Sequence, residues 1–181
     1  ASESMHPLDL PPREKLDWPR HAAGEYPLLV CVQFDDTGRN AVLEGLKLAQ
    51  ARGNAPMHFA HVVADTNTSG RGAVLTRHTE ALEAAMKRLK EFVQEHAGME
   101  PDAARLHVRM GEPVSTVLQL ALDYDVELIV VGNHGRTGLR KAVFGSVSQG
   151  LVEAARCTVL VAVPKDFSGM NQTLIPDPPR P

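Results

Sequence analysis

The chain has 181 residues, 43% of them hydrophobic, which is enough for one domain with a sizeable core. Its formal net charge is -3, with acidic and basic residues mixed along the sequence, so no basic surface is expected to hold nucleic acid by counterion release. No run reaches the ~18 apolar residues of a membrane span, and the first residues lack the charged start and apolar core of a secretory signal, so we expect a cytoplasmic protein without a membrane partner.

Two stretches differ in composition from the rest and are expected to lie outside the folded core. Residues 1–26 contain four prolines, and residues 165–181 end in PDPPRP; proline removes a backbone donor and blocks regular elements. The N-terminal extension also carries Trp18, the only tryptophan, among several leucines. Solvated tails seldom hold that much apolar surface, so the extension either packs on its own domain or docks on a protein partner.

The first elements of the domain, residues 27–164, alternate between strand and helix. Residues 27–34 (PLLVCVQF) form a short apolar run typical of a strand, and residues 39–51 space their apolar side chains along one helical face. Residues 56–63 (PMHFAHVV) repeat the strand pattern, and residues 78–97 carry a long amphipathic stripe after a polar loop. The unit of strand and helix therefore occurs twice.

The second half of the domain repeats this unit. Residues 104–110 alternate like a strand, and residues 113–121 favour a helix with proline in its first turn. Residues 126–131 (VELIVV) are typical of a strand, residues 146–155 of a helix and residues 157–163 (CTVLVAV) of a final strand. The order βαβαβαβαβ predicts an α/β fold: an open, doubly wound, mostly parallel five-stranded sheet with helices on both faces.

The fourth predicted strand runs directly into a glycine-rich, basic stretch, VVGNHGRTGLRKAVFGSVS, at residues 130–148. In an open parallel sheet, ligands lie beyond the carboxyl ends of the strands, where the strand order reverses. Glycine lets backbone N–H groups approach an anion, and the next helix starts near Gly145, so we expect a phosphate site here. The side chains that could add charge or donors are Arg136, Arg140, Lys141, Ser146 and Ser148.

Plainer interpretations of the same stretch stay open. The whole segment could be a connector that binds nothing, and its basic side chains could be a solvated face. Serine at a helix start commonly caps the helix, at the place where a phosphate would bind. His134 either contacts phosphate or caps a turn. Neither GxxxxGK[ST] nor a complete GxGxxG occurs in the chain, so a P-loop enzyme and a Rossmann dehydrogenase are not supported.

The spacing of three of the glycines resembles a known family motif. Gly132, two residues, Gly135, nine residues and then Gly145 and Ser146 fit the G-x2-G-x9-G-[ST] pattern of the universal stress protein family. The flanking strands ELIVVG and CTVLVAV are also similar to that family, and the resemblance covers residues 26–164. Gly138 is not part of the pattern.

The resemblance implies ATP or another adenine nucleotide as the ligand, with or without Mg²⁺. In the members of the family that bind ATP, the glycine stretch wraps the ribose and phosphates, and the ends of the first two strands hold the adenine. Carried over by position, this implies Val131, Gly132 and Gly135 near the ribose and phosphates. It implies Val62 beside the adenine. Around the phosphates it implies Gly145, Ser146, Val147 and Ser148.

One position departs from the family pattern. The aspartate that accepts a hydrogen bond from the adenine amine, at the end of the first strand, falls on Gln33. Gln33 can still accept through its carbonyl oxygen and can also donate, so adenine recognition is expected to be altered. Asp35 and Asp36 lie nearby but are displaced from that place.

Signals for catalysis and for a metal are weak. GSVSQG does not meet the GxSxG pattern of hydrolases. His58 and His61 are three positions apart on a strand, and this odd spacing sends their side chains to opposite faces, so both are expected to be structural. Cys31 and Cys157 lie in apolar runs and are expected to pack as reduced thiols. We therefore expect neither a catalytic residue nor a metal ligand.

The sequence as a whole predicts a nucleotide-binding regulator of the stress response. No residue is evidently placed to activate water, so any ATP hydrolysis is expected to be slow. The alternative is a scaffold or interaction module of the same fold that binds no nucleotide, which Gln33 and the apolar, proline-rich tails would favour. A third hypothesis, a nucleotidyl transferase or ATP pyrophosphatase, lacks its SGGxDS-like or HIGH-like motif.

The last predicted strand, residues 157–163, carries an expectation about assembly. It would be an apolar edge if it ends the sheet, and such edges tend to be paired or covered. In nucleotide-binding relatives the corresponding strand pairs across a dimer, so the resemblance implies a homodimer.

Overall fold

The structure, a computed structural model, describes residues 21–22, 24–64, 73–133 and 145–165. Its strands are β1 (Leu28–Cys31), β2 (Met57–Ala64), β3 (Leu106–Gly111), β4 (Leu128–Gly132) and β5 (Thr158–Ala162). Its helices are α1 (Asp36–Ala51), α2 (Ala73–Ala97), α3 (Pro113–Asp123) and α4 (Ser146–Ala154), and a short 3₁₀ turn (Ala103–Arg105) precedes β3. The predicted order βαβαβαβαβ is confirmed. The predictions for residues 1–20 and 166–181 lie outside the described residues.

The five strands form one parallel sheet in the order β3-β2-β1-β4-β5. Leu28 of β1 lies opposite Met57 of β2 on one side and opposite Leu128 of β4 on the other. The chain moves outward from β1 to β3 and then crosses back to β4, so the strand order reverses between β1 and β4. Such a reversal leaves a crevice at the carboxyl ends of the two strands, here named the switch-point crevice.

The core has two layers because each central strand is buried on both faces. Leu28 and Val30 of β1 pack with α1 and α2, and Leu29, between them, packs with α3 and α4. All three side chains are fully buried. A strand covered on both sides has no polar face, which explains why the central strands appear in the sequence as unbroken apolar runs.

Helix α1 begins at Asp36, three residues before the start predicted from the apolar spacing. Oδ1 of Asp35 accepts hydrogen bonds from the backbone N–H of Thr37 at 2.9 Å and of Gly38 at 3.2 Å. The carboxylate therefore caps the helix and extends it by a polar first turn. Hydrophobic spacing could not reveal this turn because it carries no apolar side chain.

A chain of three histidines lies on the α3 face of the sheet. Nε2 of His21 is 3.0 Å from Nε2 of His58, and Nδ1 of His58 is 2.9 Å from Nε2 of His107. The ring of Tyr124, at the end of α3, packs against both inner imidazoles. Residues just before the predicted domain start are thus packed on the sheet.

Candidate functional site

The switch-point crevice is formed by the ends of β1 and β4 and by the first turns of α1 and α4. From β1 the chain continues through Val32 and Gln33 into α1, and from β4 it continues through Asn133. The structure brings together six of the predicted residues at this edge: Gln33, Val131, Gly132, Gly145, Ser146 and Val147, with Ser148 one step inside α4. Gly135, Arg136 and His134 lie outside the described residues, as do Arg140 and Lys141.

Two glycines allow backbones to meet at the base of this crevice. A Cβ at Gly132 would overlap the carbonyl oxygen of Thr37, and a Cβ at Gly38 would overlap the carbonyl oxygen of Gln33. Only glycine fits at either position, so the first turn of α1 packs directly on the ends of β1 and β4. The family resemblance implies Gly132 near the ribose and phosphates, and the contact with Thr37 adds a packing reason for this glycine. Gly38 was missed, although a glycine in a helix's first turn is itself a sign of close approach.

Asn133 lies directly after β4 and is hydrogen-bonded to Gly145, the residue before α4. Its backbone N–H donates to the carbonyl of Ala162 at 2.9 Å, and its Oδ1 accepts from the N–H of Gly145 at 3.1 Å. The side chain is 6% exposed. Asn133 was not among the predicted site residues, although a polar side chain immediately after a buried strand is a usable signal in the sequence.

The start of α4 is open toward the crevice. Gly145 is the N-cap residue of α4, and within the described residues it makes no side-chain capping hydrogen bond. Gly145 and Ser146 are both exposed. The hydroxyl of Ser148 is buried and donates to the carbonyl of Gly145 at 2.9 Å, so it stabilises the first turn from within. The first N–H groups of a helix have no partner inside the helix and carry partial positive charge, so this end can receive an anion.

The residues expected near the base occupy the neighbouring strand ends. Gln33 is exposed, directly after the buried Val32. Val62 is half-buried near the end of β2 and packs on the α3 face of the sheet. Val131 is buried in β4, between Cys31 of β1 and Val161 of β5. Val62 thus lies on the opposite side of β1 from Val131.

His61 supports the end of β1 from the other face. Its Nδ1–H donates to the carbonyl of Val32 at 2.8 Å, and its ring stacks on Phe34 at a centroid distance of 4.1 Å. The guanidinium of Arg88 lies 4.5 Å above the same phenyl ring. His61 therefore faces α2 while His58 faces α3, as the odd spacing predicts.

The described residues offer little for catalysis or metal binding. Within these segments no group of three or more His, Cys, Asp or Glu side chains is arranged to hold a metal ion. Burial raises the pKa of the Cys31 thiol to about 12, and burial with the nearby Glu127 carboxylate raises the pKa of Cys157, so both thiols stay protonated at neutral pH.

A cavity of about 470 Å³ opens at the other end of the sheet, where Met57 and Arg105 are among its lining residues. None of the predicted site residues that the structure describes lines this cavity.

No helix in the described segments is long and apolar enough to cross a membrane.

The parallel sheet and its switch-point crevice define a doubly wound α/β domain, and comparison with known proteins identifies its family. Residues 27–163 match the model of the Universal stress protein family. Universal stress protein A homolog 2 of Coxiella burnetii is 26% identical over 137 residues, covering 74% of this chain and 91% of that protein. The chain therefore belongs to the universal stress protein family.

Solved structures agree on the fold. Protein MJ0577 of Methanocaldococcus jannaschii superposes with a TM-score of 0.54 at 21% identity, covering 79% of this chain and 99% of that chain. Universal stress protein UspA from Lactobacillus plantarum gives 0.52 at 22% identity, covering 78% and 99%. At this level of identity the likeness extends to the fold alone.

Proposed function

We propose that this protein binds ATP or another adenine nucleotide in the switch-point crevice and acts as a regulator in the stress response. The observation that carries the proposal is the exposed start of α4, which has no side-chain cap among the described residues and lies at the end of the glycine spacing that ATP-binding members of the family share. A bound nucleotide would supply negative charge to the N–H groups of this turn, which have no acceptor inside the helix.

The residues present fit such a ligand. Among the described residues, a Cβ at Gly145 would meet Oδ1 of Asn133 and Oγ of Ser148, both at 3.8 Å, which is ordinary van der Waals contact. The N–H groups of Ser146 and Val147, with the exposed Ser146 hydroxyl, are the groups we assign to phosphate. Val131 and Gly132 are assigned to the ribose side. Gln33 and Val62 are assigned to the base.

Binding rather than turnover is the proposed activity. The described polar groups nearest the crevice already have structural partners: Asp35 caps α1, and the Nδ1–H of His61 is held by Val32. A general base must be free to take a proton from water, and neither side chain is placed for that role. Any hydrolysis is therefore expected to be slow.

The test is direct detection of the ligand. Small molecules released by denaturing purified, undialysed protein are identified by mass spectrometry, and calorimetry then measures binding of ATP, ADP, AMP and GTP with and without Mg²⁺. We expect an adenine nucleotide in the extract and saturable binding. A protein that releases none and shows no heat with any of the four would refute the proposal.

A second proposal concerns assembly through β5. This strand ends the sheet order, and Val159, Leu160 and Val161 remain half-buried in the single chain, with Val163 51% exposed. An apolar edge strand is normally paired or covered. We infer a homodimer formed through β5, which is compatible with either nucleotide binding or a scaffold role.

A further inference from the structure

Asn133 and Gly145, which flank residues 134–144 in the sequence, are joined by a side-chain hydrogen bond. Oδ1 of Asn133 accepts the N–H of Gly145 at 3.1 Å, and the N–H of Asn133 itself is fixed to Ala162 of β5. Because Asn133 is almost fully buried and anchored to the sheet, its side chain is a rigid acceptor. The contact therefore holds Gly145, at the start of α4, to the sheet.

The backbone around Gly145 is fixed on both sides. Its N–H is held by Asn133, while its carbonyl accepts from the Ser148 hydroxyl at 2.9 Å and from the N–H of Gln149 at 3.0 Å. With donor and acceptor both engaged, the peptide planes on either side of Gly145 have one orientation. The next N–H groups, those of Ser146 and Val147, begin α4 and have no hydrogen-bond partner among the described residues.

We propose that Asn133 is the positioning residue of this site. Its amide oxygen holds the Gly145 N–H away from the ligand and so aims the N–H groups of Ser146 and Val147 at the phosphate. The ligand in this statement rests on the proposed function, whereas the tie between Asn133 and Gly145 does not.

Asparagine suits this role better than its close analogues. Aspartate would accept the same hydrogen bond but would place a negative charge beside the phosphate. Alanine would remove the acceptor and leave the Gly145 N–H without its partner, so the start of α4 would be held less firmly to β4. The two replacements therefore distinguish the effect of losing the hydrogen bond to Gly145 from the effect of adding a negative charge beside the phosphate.

The experiment compares Asn133→Ala, Asn133→Asp and the control Gln119→Ala, which deletes an exposed amide bonded to Asp123 at 2.8 Å in α3. Hydrogen exchange of the Gly145 amide is followed by NMR without ligand, and ATP binding by calorimetry. We expect Asn133→Ala to lose about tenfold in both exchange protection and ATP affinity, as for one lost hydrogen bond. Asn133→Asp should keep the protection and still lose ATP affinity, because its carboxylate lies beside the phosphate. Gln119→Ala should change neither quantity.

Each outcome decides one part of the proposal. If the Gly145 amide is equally protected from exchange in Asn133→Ala, Asn133 does not fix Gly145. If the protection is lost while ATP affinity is unchanged, the hydrogen bond between Asn133 and Gly145 has no role in ATP binding. A wild-type titration in which the Gly145 amide shifts more than those of Ser146 and Val147 also overturns the proposal. If the wild-type chain binds no nucleotide, the proposed function fails, and Gly145 protection still tests the tie. The wild-type titration needs no substitution and so remains informative if neither variant folds.

Discussion

His58 and His107 share one hydrogen bond between two buried imidazoles, with Nδ1 of His58 2.9 Å from Nε2 of His107 and each residue 3% exposed. Only one proton fits between two ring nitrogens at this distance, so one ring donates and the other accepts. Burial is the main cause that lowers the pKa of His58 to about 3 and of His107 to about 4. The charge of His107 lowers the pKa of His58 further, followed by His21 and Arg105, while Asp102 opposes the effect. The charge of Arg109 lowers the pKa of His107 further.

Because the pKa values of His58 and His107 are lowered in the folded chain, we expect the free energy of unfolding to fall on acidification. Between about pH 6.5 and 4 the unfolded chain binds protons at both histidines while the folded chain does not, so the free energy of unfolding falls as the pH falls. The slope is up to about 1.4 kcal/mol per pH unit for each histidine, with a plateau above the unfolded pKa.

The measurement is the urea midpoint of unfolding from pH 7.5 to 4. His107→Gln should flatten the curve relative to wild type, because one of the two titrating groups is gone. His78→Gln, which changes a histidine of α2 outside the chain of three, serves as the control. Equal pH slopes in wild type and His107→Gln would contradict the expectation.

Two glycines of the same motif should respond differently to alanine. Gly132→Ala places a Cβ on the carbonyl oxygen of Thr37, so α1 or β4 must shift, and we expect a loss of about 3 kcal/mol in the free energy of unfolding. Gly145→Ala meets its nearest atoms at 3.8 Å and should cost under about 1 kcal/mol. Equilibrium unfolding in urea measures both. Equal losses would show that packing at Thr37 does not explain Gly132.

The elements could be predicted because each leaves a periodic trace in the sequence. Buried strands such as β4 appear as apolar runs, and α2 appears as a stripe along one helical face. The start of α1 could not be predicted this way because Asp35 fixes it through hydrogen bonds. The contacts of Gly132 with Thr37 and of Asn133 with Gly145 join residues distant in the chain, and no local pattern encodes such a pair.

A negative charge at the start of α4 should separate helix stability from ligand binding. In Ser146→Glu the carboxylate lies in the first turn, where the helix dipole favours it, so stability should hold or rise by about 0.5 kcal/mol. The same charge repels phosphate, and ATP affinity should fall at least about tenfold. Ala103→Glu adds the same charge at an exposed position at the other end of the sheet and should leave binding unchanged. Equal affinities in calorimetry for both variants would remove the start of α4 from the phosphate site.

We expect the side chain at position 33 to influence the preference for adenine over guanine. Gln33→Asp supplies a carboxylate, which accepts a hydrogen bond from the adenine amine and repels the carbonyl of guanine, so the ratio of ATP to GTP affinity should rise about tenfold. Gln33 is exposed, so the change should not disturb the core. Gln50→Asp, an exposed position near the end of α1, is the control. An unchanged ratio for Gln33→Asp would place the base elsewhere.

The dimer can be tested with one proline in β5, at a residue whose backbone N–H points away from β4. The N–H of Thr158 donates inward to Glu127 at 3.3 Å, and alternate residues of a strand point their N–H groups to opposite sides, so the N–H of Val161 faces outward. Val161→Pro removes that outward donor while leaving the inward hydrogen bonds to β4, a replacement that edge strands tolerate. Val161→Thr keeps both the N–H and the branched side chain. By light scattering at micromolar concentration we expect a dimer for wild type and Val161→Thr and a monomer for Val161→Pro. A monomeric wild type, or a Val161→Pro variant that stays dimeric, would show that β5 does not form the interface.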